Sequence, residues 1–134
     1  DQLSTPEKIL ADNGQIFYGI INGTPVATCA LIALGEGVFE LAKMAVSKDY
    51  QGRGIGSKLY DFAEKWALEN GATKVILSSN TSLTAAMQLY EKKGFLKQPK
   101  IKESKYLRCN IQFAKLLEFQ SLNKENLPDF HTAR

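Results

Sequence analysis

Among 134 residues there is a single histidine, a single tryptophan and only two cysteines. His131 stands in a polar C-terminal stretch, so neither a zinc centre nor a histidine-based triad can be assembled around it. Cys29 and Cys109 lie in apolar, strand-like runs, where a thiol serves as a small buried hydrophobe rather than as half of a disulfide. A reducing, cytoplasmic setting is the expectation, with no metal. No uninterrupted apolar run is long enough to cross a bilayer, and the opening DQLSTPEKIL lacks the apolar core of a secretion signal. No membrane partner is expected. The chain also starts without methionine, as a processed product or an excerpt of a longer chain would. Internal repeats and low-complexity segments are absent. Neither sign of charge dominates: 17 lysines and arginines face 14 carboxylates, and a net charge of +3 leaves an acidic or phosphorylated partner open without implying nucleic acid.

What is present is enough apolar character, 44%, for one domain with its own core. Ile16 to Ile21 and Val26 to Leu34 read as antiparallel strands about the turn Asn22-Gly23-Thr24-Pro25. Val38 to Val46 carries apolar residues at both parities, the pattern of a central strand covered on both faces. It runs straight into YQGRGIGSK, residues 50 to 58. Glycine at that density is kept where backbone must turn sharply or approach a ligand closely, and the usual ligand is a phosphate. Neither the dinucleotide spacing G-x-G-x-x-G nor the P-loop spacing G-x-x-x-x-G-K-[ST] fits these glycines. The loop does open a helix, since Leu59, Phe62, Ala63, Trp66 and Ala67 form a helical stripe that Asn70-Gly71 ends. Free N–H groups therefore converge there as an anion site.

Lys74 to Ser79 reads as a short buried strand. Leu83, Ala86, Met87 and Tyr90 mark one face of a second helix, with Ser82 as its cap and Gly94 as its stop. Leu107, Cys109, Ile111 and Phe113 alternate with polar residues as a half-exposed strand. Between them Lys92, Lys93, Lys97, Lys100, Lys102 and Lys105 form a basic tract, by default a solvated face; an acidic partner or an outer phosphate is the functional alternative, and only Phe95 and Tyr106 are there to stack on bases. Residues 1–117 are read as one domain and 118–134 as a polar C-terminal tail, interrupted by Pro128, either loose or packed on a neighbour.

This order of elements resembles the GNAT superfamily of acetyl-CoA-dependent N-acetyltransferases. Gln51-Gly52-Arg53-Gly54-Ile55-Gly56 fits the family's pyrophosphate loop [QR]-x-x-G-x-[GA], and Tyr90-Glu91-Lys92-Lys93-Gly94-Phe95 fits its later signature Y-E-K-x-G-F. The resemblance spans Ile16 to Phe113. It implies an α/β (α+β) GNAT acyltransferase fold, a mixed central sheet with helices on both faces, whose N-terminal strand and helix region is shortened. Leu3 to Ala11 is then the remnant of that helical region, or another chain supplies the missing strand. If none precedes Ile16, the edge from Ile16 to Ile21 needs a cover, which the segment before it, a second copy of the chain or a removed N-terminal region would supply, with Phe119, Leu122, Leu127 and Phe130 helping to seal the contact; self-association as a homodimer is the favoured expectation.

By the same resemblance, Gln51, Gly52, Arg53, Gly54, Ile55, Gly56, Ser57 and Lys58 hold the pyrophosphate of acetyl-CoA, and Ala45 and Val46 pair with its pantetheine arm. The Met44 N–H serves as oxyanion donor, Glu40 as general base and Tyr90 as general acid. The family's usual asparagine falls on Leu83, so Asn80 is the nearest substitute. The implied activity is acetyl transfer from acetyl-CoA to a primary amine of a small molecule or protein. The alternatives are a non-catalytic acyl-CoA-binding module and a basic nucleic-acid-binding domain.

Overall fold

The computed structural model describes residues 5–79, 84–98, 111–117 and 129–133. Its order is α1 (Pro6–Ala11), β1 (Gln15–Ile21), β2 (Thr24–Gly35), β3 (Val38–Val46), α2 (Ile55–Glu69), β4 (Lys74–Ser79), α3 (Thr84–Lys92), β5 (Leu96–Lys97), β6 (Ile111–Leu116) and β7 (Asp129–Thr132). The strands form one mixed sheet in the order β5-β6-β4-β3-β2-β1-β7. β3 and β4 pair in parallel, and the other pairs are antiparallel.

Inward-facing side chains from the sheet meet the apolar stripe of α2. Leu59, Tyr60, Ala63 and Ala67 are buried against Phe17, Cys29, Leu31, Phe39 and Leu41. Trp66 sets its edge on Phe17 at 5.6 Å and on Phe39 at 5.7 Å between ring centroids, contacts that add about 0.5–1.5 kcal/mol each beyond area burial. Ion pairs fasten the outer side of α2: Lys93 to Asp61 at 2.9 Å, and Lys115 to Glu64 at 2.7 Å. The Tyr60 hydroxyl donates to Glu64 as well, at 2.8 Å. α1 lies against β1 and β2, where Ile9 is buried apart from the α2 cluster, so helices do flank the sheet on both faces. Of Leu3 to Ala11, one reading of which is a helical remnant, Pro6–Ala11 is helical, capped by the Thr5 side chain, and residues 3 and 4 lie outside the described residues.

Three expectations change. Residues 118–134 are read from the sequence as a polar tail, but Asp129–Thr132 forms β7 on the edge of β1. The β1 edge, expected to need a cover, is closed by this segment: Ile20 pairs with Asp129 and Phe17 with Thr132, while the ring of Phe130, one of the C-terminal residues expected to help seal it, lies 5.6 Å from that of Phe62. Second, the apolar residues at both parities of β3 do not mean two covered faces. Ala30 pairs with Ala42 and Thr28 with Ala45, so β3 holds one extra residue there, and Lys43 takes a left-handed φ of 57°. Phe39 and Leu41 face the core before this bulge; Met44 and Val46 face it afterwards. Third, the strand expected from Leu107 runs through Ile111 and Phe113 and continues to Leu116, because Ala114 and Leu116 extend the ladder with β4. Residues 107–110 lie outside the described residues.

Candidate active site

The β3–β4 ladder is short. It runs from the Val38–Lys74 pair to the Glu40–Ile76 pair and stops, although β3 continues to Val46 and β4 to Ser79. Beyond Glu40 the two parallel strands part into a cleft whose apex is Glu40. The bulge at Lys43 sits inside that cleft and turns the Met44 and Val46 side chains toward α2. Glu40 itself is half-buried, on the sheet face opposite Phe39 and Leu41, with Ile32 and Ile76 as its register partners.

The glycine loop closes one end of the cleft. β3 passes through a single 3₁₀ turn, Lys48–Tyr50, into Gln51, whose amide nitrogen donates to the Val46 carbonyl at 3.0 Å. Gly52 and Gly54 both adopt left-handed φ, 78° and 77°, and a Cβ built on either meets nothing within 4 Å. No side chain caps α2, and its first turn closes only when the Lys58 N–H reaches the Gly54 carbonyl at 3.1 Å. The Ile55, Gly56 and Ser57 amides thus have no partner inside the helix, which makes them an uncapped N-terminus opening on free space.

Gly56 differs from the other two glycines. Its Cβ would meet Val46 at 3.3 Å, Leu89 at 3.8 Å and the Met44 sulfur at 4.0 Å. It is where β3, α2 and α3 converge, and the missing Cβ lets them pack closely there. Arg53 is exposed, its guanidinium 5.0 Å above the Tyr50 ring. Ser57 and Lys58 are half-buried in the first turn of α2, and Ala45 is exposed on β3.

Tyr90 stands on α3, the helix whose Leu89 meets β3 and α2 at Gly56. α3 ends in a Schellman motif: the Phe95 N–H donates to the Tyr90 carbonyl at 3.0 Å and the Gly94 N–H to the Glu91 carbonyl at 3.0 Å, with Gly94 left-handed at 91°. The accompanying hydrophobic contact is Tyr90 on Phe95, 6.0 Å between rings, and Tyr90 also lies 6.1 Å from Phe113 of β6. Capping therefore accounts for the Tyr, Gly and Phe of Tyr90-Glu91-Lys92-Lys93-Gly94-Phe95. It does not account for the hydroxyl. Burial, and secondarily the nearby Cys29, raises the pKa of that phenol above its ordinary value, so it is held protonated. Cys29 is fully buried on β2 and its own thiol is pushed up to about 12 by desolvation. A thiol so buried is a packing group of the core cluster against which Tyr90 lies.

Glu40, Met44, Ala45, Val46 and the loop from Gln51 to Lys58 are thus gathered along one strand and its helix, and Tyr90 lies on the helix that meets them at Gly56. Asn80 lies outside the described residues. Among those described, no group of side chains could hold a metal ion, and no helix is long and apolar enough to cross a membrane.

Comparison with known proteins gives this geometry a context. The acetyltransferase (GNAT) family model matches residues 2–95. The chain is 28% identical over 105 residues to the mouse probable N-acetyltransferase family 8 member 5, a match covering 78% of this chain and 45% of that protein. A GNAT-family acetyltransferase from Staphylococcus aureus superposes with a TM-score of 0.76 at 26% identity, covering 84% of this chain and 73% of that one. A GNAT-family acetyltransferase from Elizabethkingia anophelis, solved with acetyl-CoA bound, has the same fold at a TM-score of 0.69 and 20% identity over 83% of this chain and 80% of its own. The chain spans less than half the length of the mouse relative.

Proposed function

The chain belongs to the GNAT acetyltransferase family, and from that premise we propose that it transfers an acetyl group from acetyl-CoA to a primary amine of a small molecule or protein. The observation that carries the reading is the cleft itself: parallel strands that part beyond Glu40, a bulge at Lys43 within it, and an uncapped helix N-terminus at its mouth. The residues fit acetyl-CoA on two counts. The open space over Gly52 and Gly54 admits a pyrophosphate to the free amides of α2, and the unpaired side of β3 from Ala45 to Val46 offers backbone groups to the amides of a pantetheine arm. Gln51 holds the Val46 carbonyl and keeps the strand and loop in register.

An amine must lose its proton before it attacks. A lysine-like amine at pH 7 is protonated with a bias of about 4.6 kcal/mol. Glu40, at the apex, takes that proton, directly or through one water. As the nitrogen adds to the thioester carbonyl, negative charge grows on its oxygen, and the Met44 N–H, turned by the bulge, donates to it; one such donor is worth about 3 kcal/mol. The carbon–sulfur bond then breaks and Tyr90 gives its proton to the leaving thiolate, while the second proton lost by the nitrogen as the amide forms returns through water to the Tyr90 phenolate, and Glu40 releases the first to solvent. An ordinary phenol already holds its proton at neutral pH, and burial of Tyr90 shifts it further in that direction.

Thermal unfolding with increasing acetyl-CoA tests the binding half of this reading. At about a hundred times its Kd, acetyl-CoA adds about 2.7 kcal/mol of stability, and the melting temperature rises accordingly. DNA or RNA at matched charge should leave it unmoved. A shift with nucleic acid and none with acetyl-CoA would overturn the proposal.

A further inference from the structure

Given the acetyl-transfer reading, on which this rests, we infer that the acceptor is an α-amino acid with an apolar side chain, its ammonium group held at Glu40 and its carboxylate at Lys74. Two register rows cross the sheet face opposite α2 beside the cleft: Ile32–Glu40–Ile76, and next to it Val38–Lys74–Leu116. Val75 and Leu77 of β4 are buried in the core cluster, so by alternation Lys74 and Ile76 stand on the face that Glu40 shares. Ile32, Val38 and Ile76 are half-buried there, and Leu116 is exposed. A mostly apolar surface with a few placed polar groups, next to a reacting centre, is the usual make-up of a small-molecule site.

Glu40 and Lys74 are the two charges in these rows. They stand diagonally on β3 and β4, about 8 Å apart at Cα for a strand spacing of about 4.8 Å and two residues of rise. Long side chains so placed can reach one another. These two do not: among the described residues the ion pairs are Lys8–Asp12, Lys93–Asp61 and Lys115–Glu64. An α-amino acid carries its own opposite charges about 3 Å apart. With a contact of about 2.8 Å at each end it spans about 6–8 Å, which suits a carboxylate and an ammonium that face each other diagonally without touching.

The direction suits the reaction as well. Lys74 lies two residues before Ile76, over the closed ladder, whereas the cleft opens beyond Glu40. An amino acid held this way presents its nitrogen to the cleft and keeps its carboxylate away from the oxygen on which negative charge grows. Its side chain lies among Ile32, Val38 and Ile76, where apolar burial favours it. A polyamine meets a cation where its second ammonium needs an anion, so Lys74 also selects against that class. In the transfer a carbon–nitrogen bond replaces the carbon–sulfur bond, one ammonium proton ends on the CoA thiol and one in solvent, and the carboxylate is unchanged.

Initial rates with acetyl-CoA and three acceptors test this: leucine, isopentylamine, which is leucine without its carboxylate, and spermidine. Leucine should exceed isopentylamine in kcat/KM by about ten- to a hundredfold, the scale of one hydrogen-bonded charge contact, and spermidine should fall below both. Lys74→Met should bring the ratio of the first two to about one through KM, and Lys74→Arg should keep most of it. Equal kcat/KM for leucine and isopentylamine in the unaltered chain overturns the role of Lys74 while acetyl transfer stands, and so does a ratio that survives in Lys74→Met. If no amine is acetylated, the acetyl-transfer reading falls, and calorimetric titration of leucine into the CoA-saturated chain decides the pairing by itself. Binding that Lys74→Met abolishes upholds it; no binding, or binding that the substitution leaves unchanged, overturns it.

Discussion

Gly54→Val should lower acetyl-CoA affinity by about a hundredfold or more and leave the fold in place. Two effects act together. Gly54 holds φ at 77°, where a β-branched residue is a genuine outlier and strain of about 1–3 kcal/mol follows. Its Cβ would also enter the open space through which a phosphate reaches the α2 amides, although it meets no protein atom within 4 Å. The absence of a protein clash is why the core should tolerate the change. Calorimetric titration with acetyl-CoA measures the loss. Gly54→Asn, a residue that accepts left-handed backbone more readily, separates the two effects: a loss as large as that of Val assigns the effect to filled space, and a recovered affinity assigns it to strain. Unchanged affinity in folded Gly54→Val would remove the loop from the binding site.

Tyr90→Phe should lower kcat by about 10²–10⁴ while leaving the melting temperature and the Kd for acetyl-CoA nearly unchanged. The ring is what α3 needs for its end, since the contact with Phe95 and the packing on Phe113 are both made by the aromatic face. The hydroxyl is what the leaving thiolate needs. Phenylalanine keeps the first and deletes the second, so a fall in turnover with intact stability identifies the general acid. Turnover within twofold of the parent would leave Tyr90 as a helix terminator alone.

The parts of this site that were legible in the sequence are those written in local chemistry. β3 and β4 show apolar runs bounded by turn residues, and both end where they were expected, at Val46 and Ser79. α2 announces its stop through Asn70-Gly71, and Gly71 does close it, with the Ala72 N–H reaching the Ala67 carbonyl at 2.9 Å. What escaped depends on partners far along the chain. β7 is short and polar apart from Phe130, and only β1, more than a hundred residues earlier, makes it a strand. β5 is two exposed residues held by a ladder to β6. The bulge at Lys43 is hidden because a phase change and a doubly covered strand write the same apolar pattern. Gly56 looked like its neighbours in the loop, and only the packed structure reveals Val46, Leu89 and Met44 around it.

The most direct test of the account is to incubate the chain with acetyl-CoA and a panel of primary amines, from polyamines to peptide N-termini and lysine side chains, and to follow free CoA thiol and acetylated amine together. The expected result is equal release of both products with at least one amine, at a rate well above the spontaneous reaction. Firm acetyl-CoA binding with no acetylated amine above background across the whole panel would contradict the assignment and leave an acyl-CoA-binding module in its place.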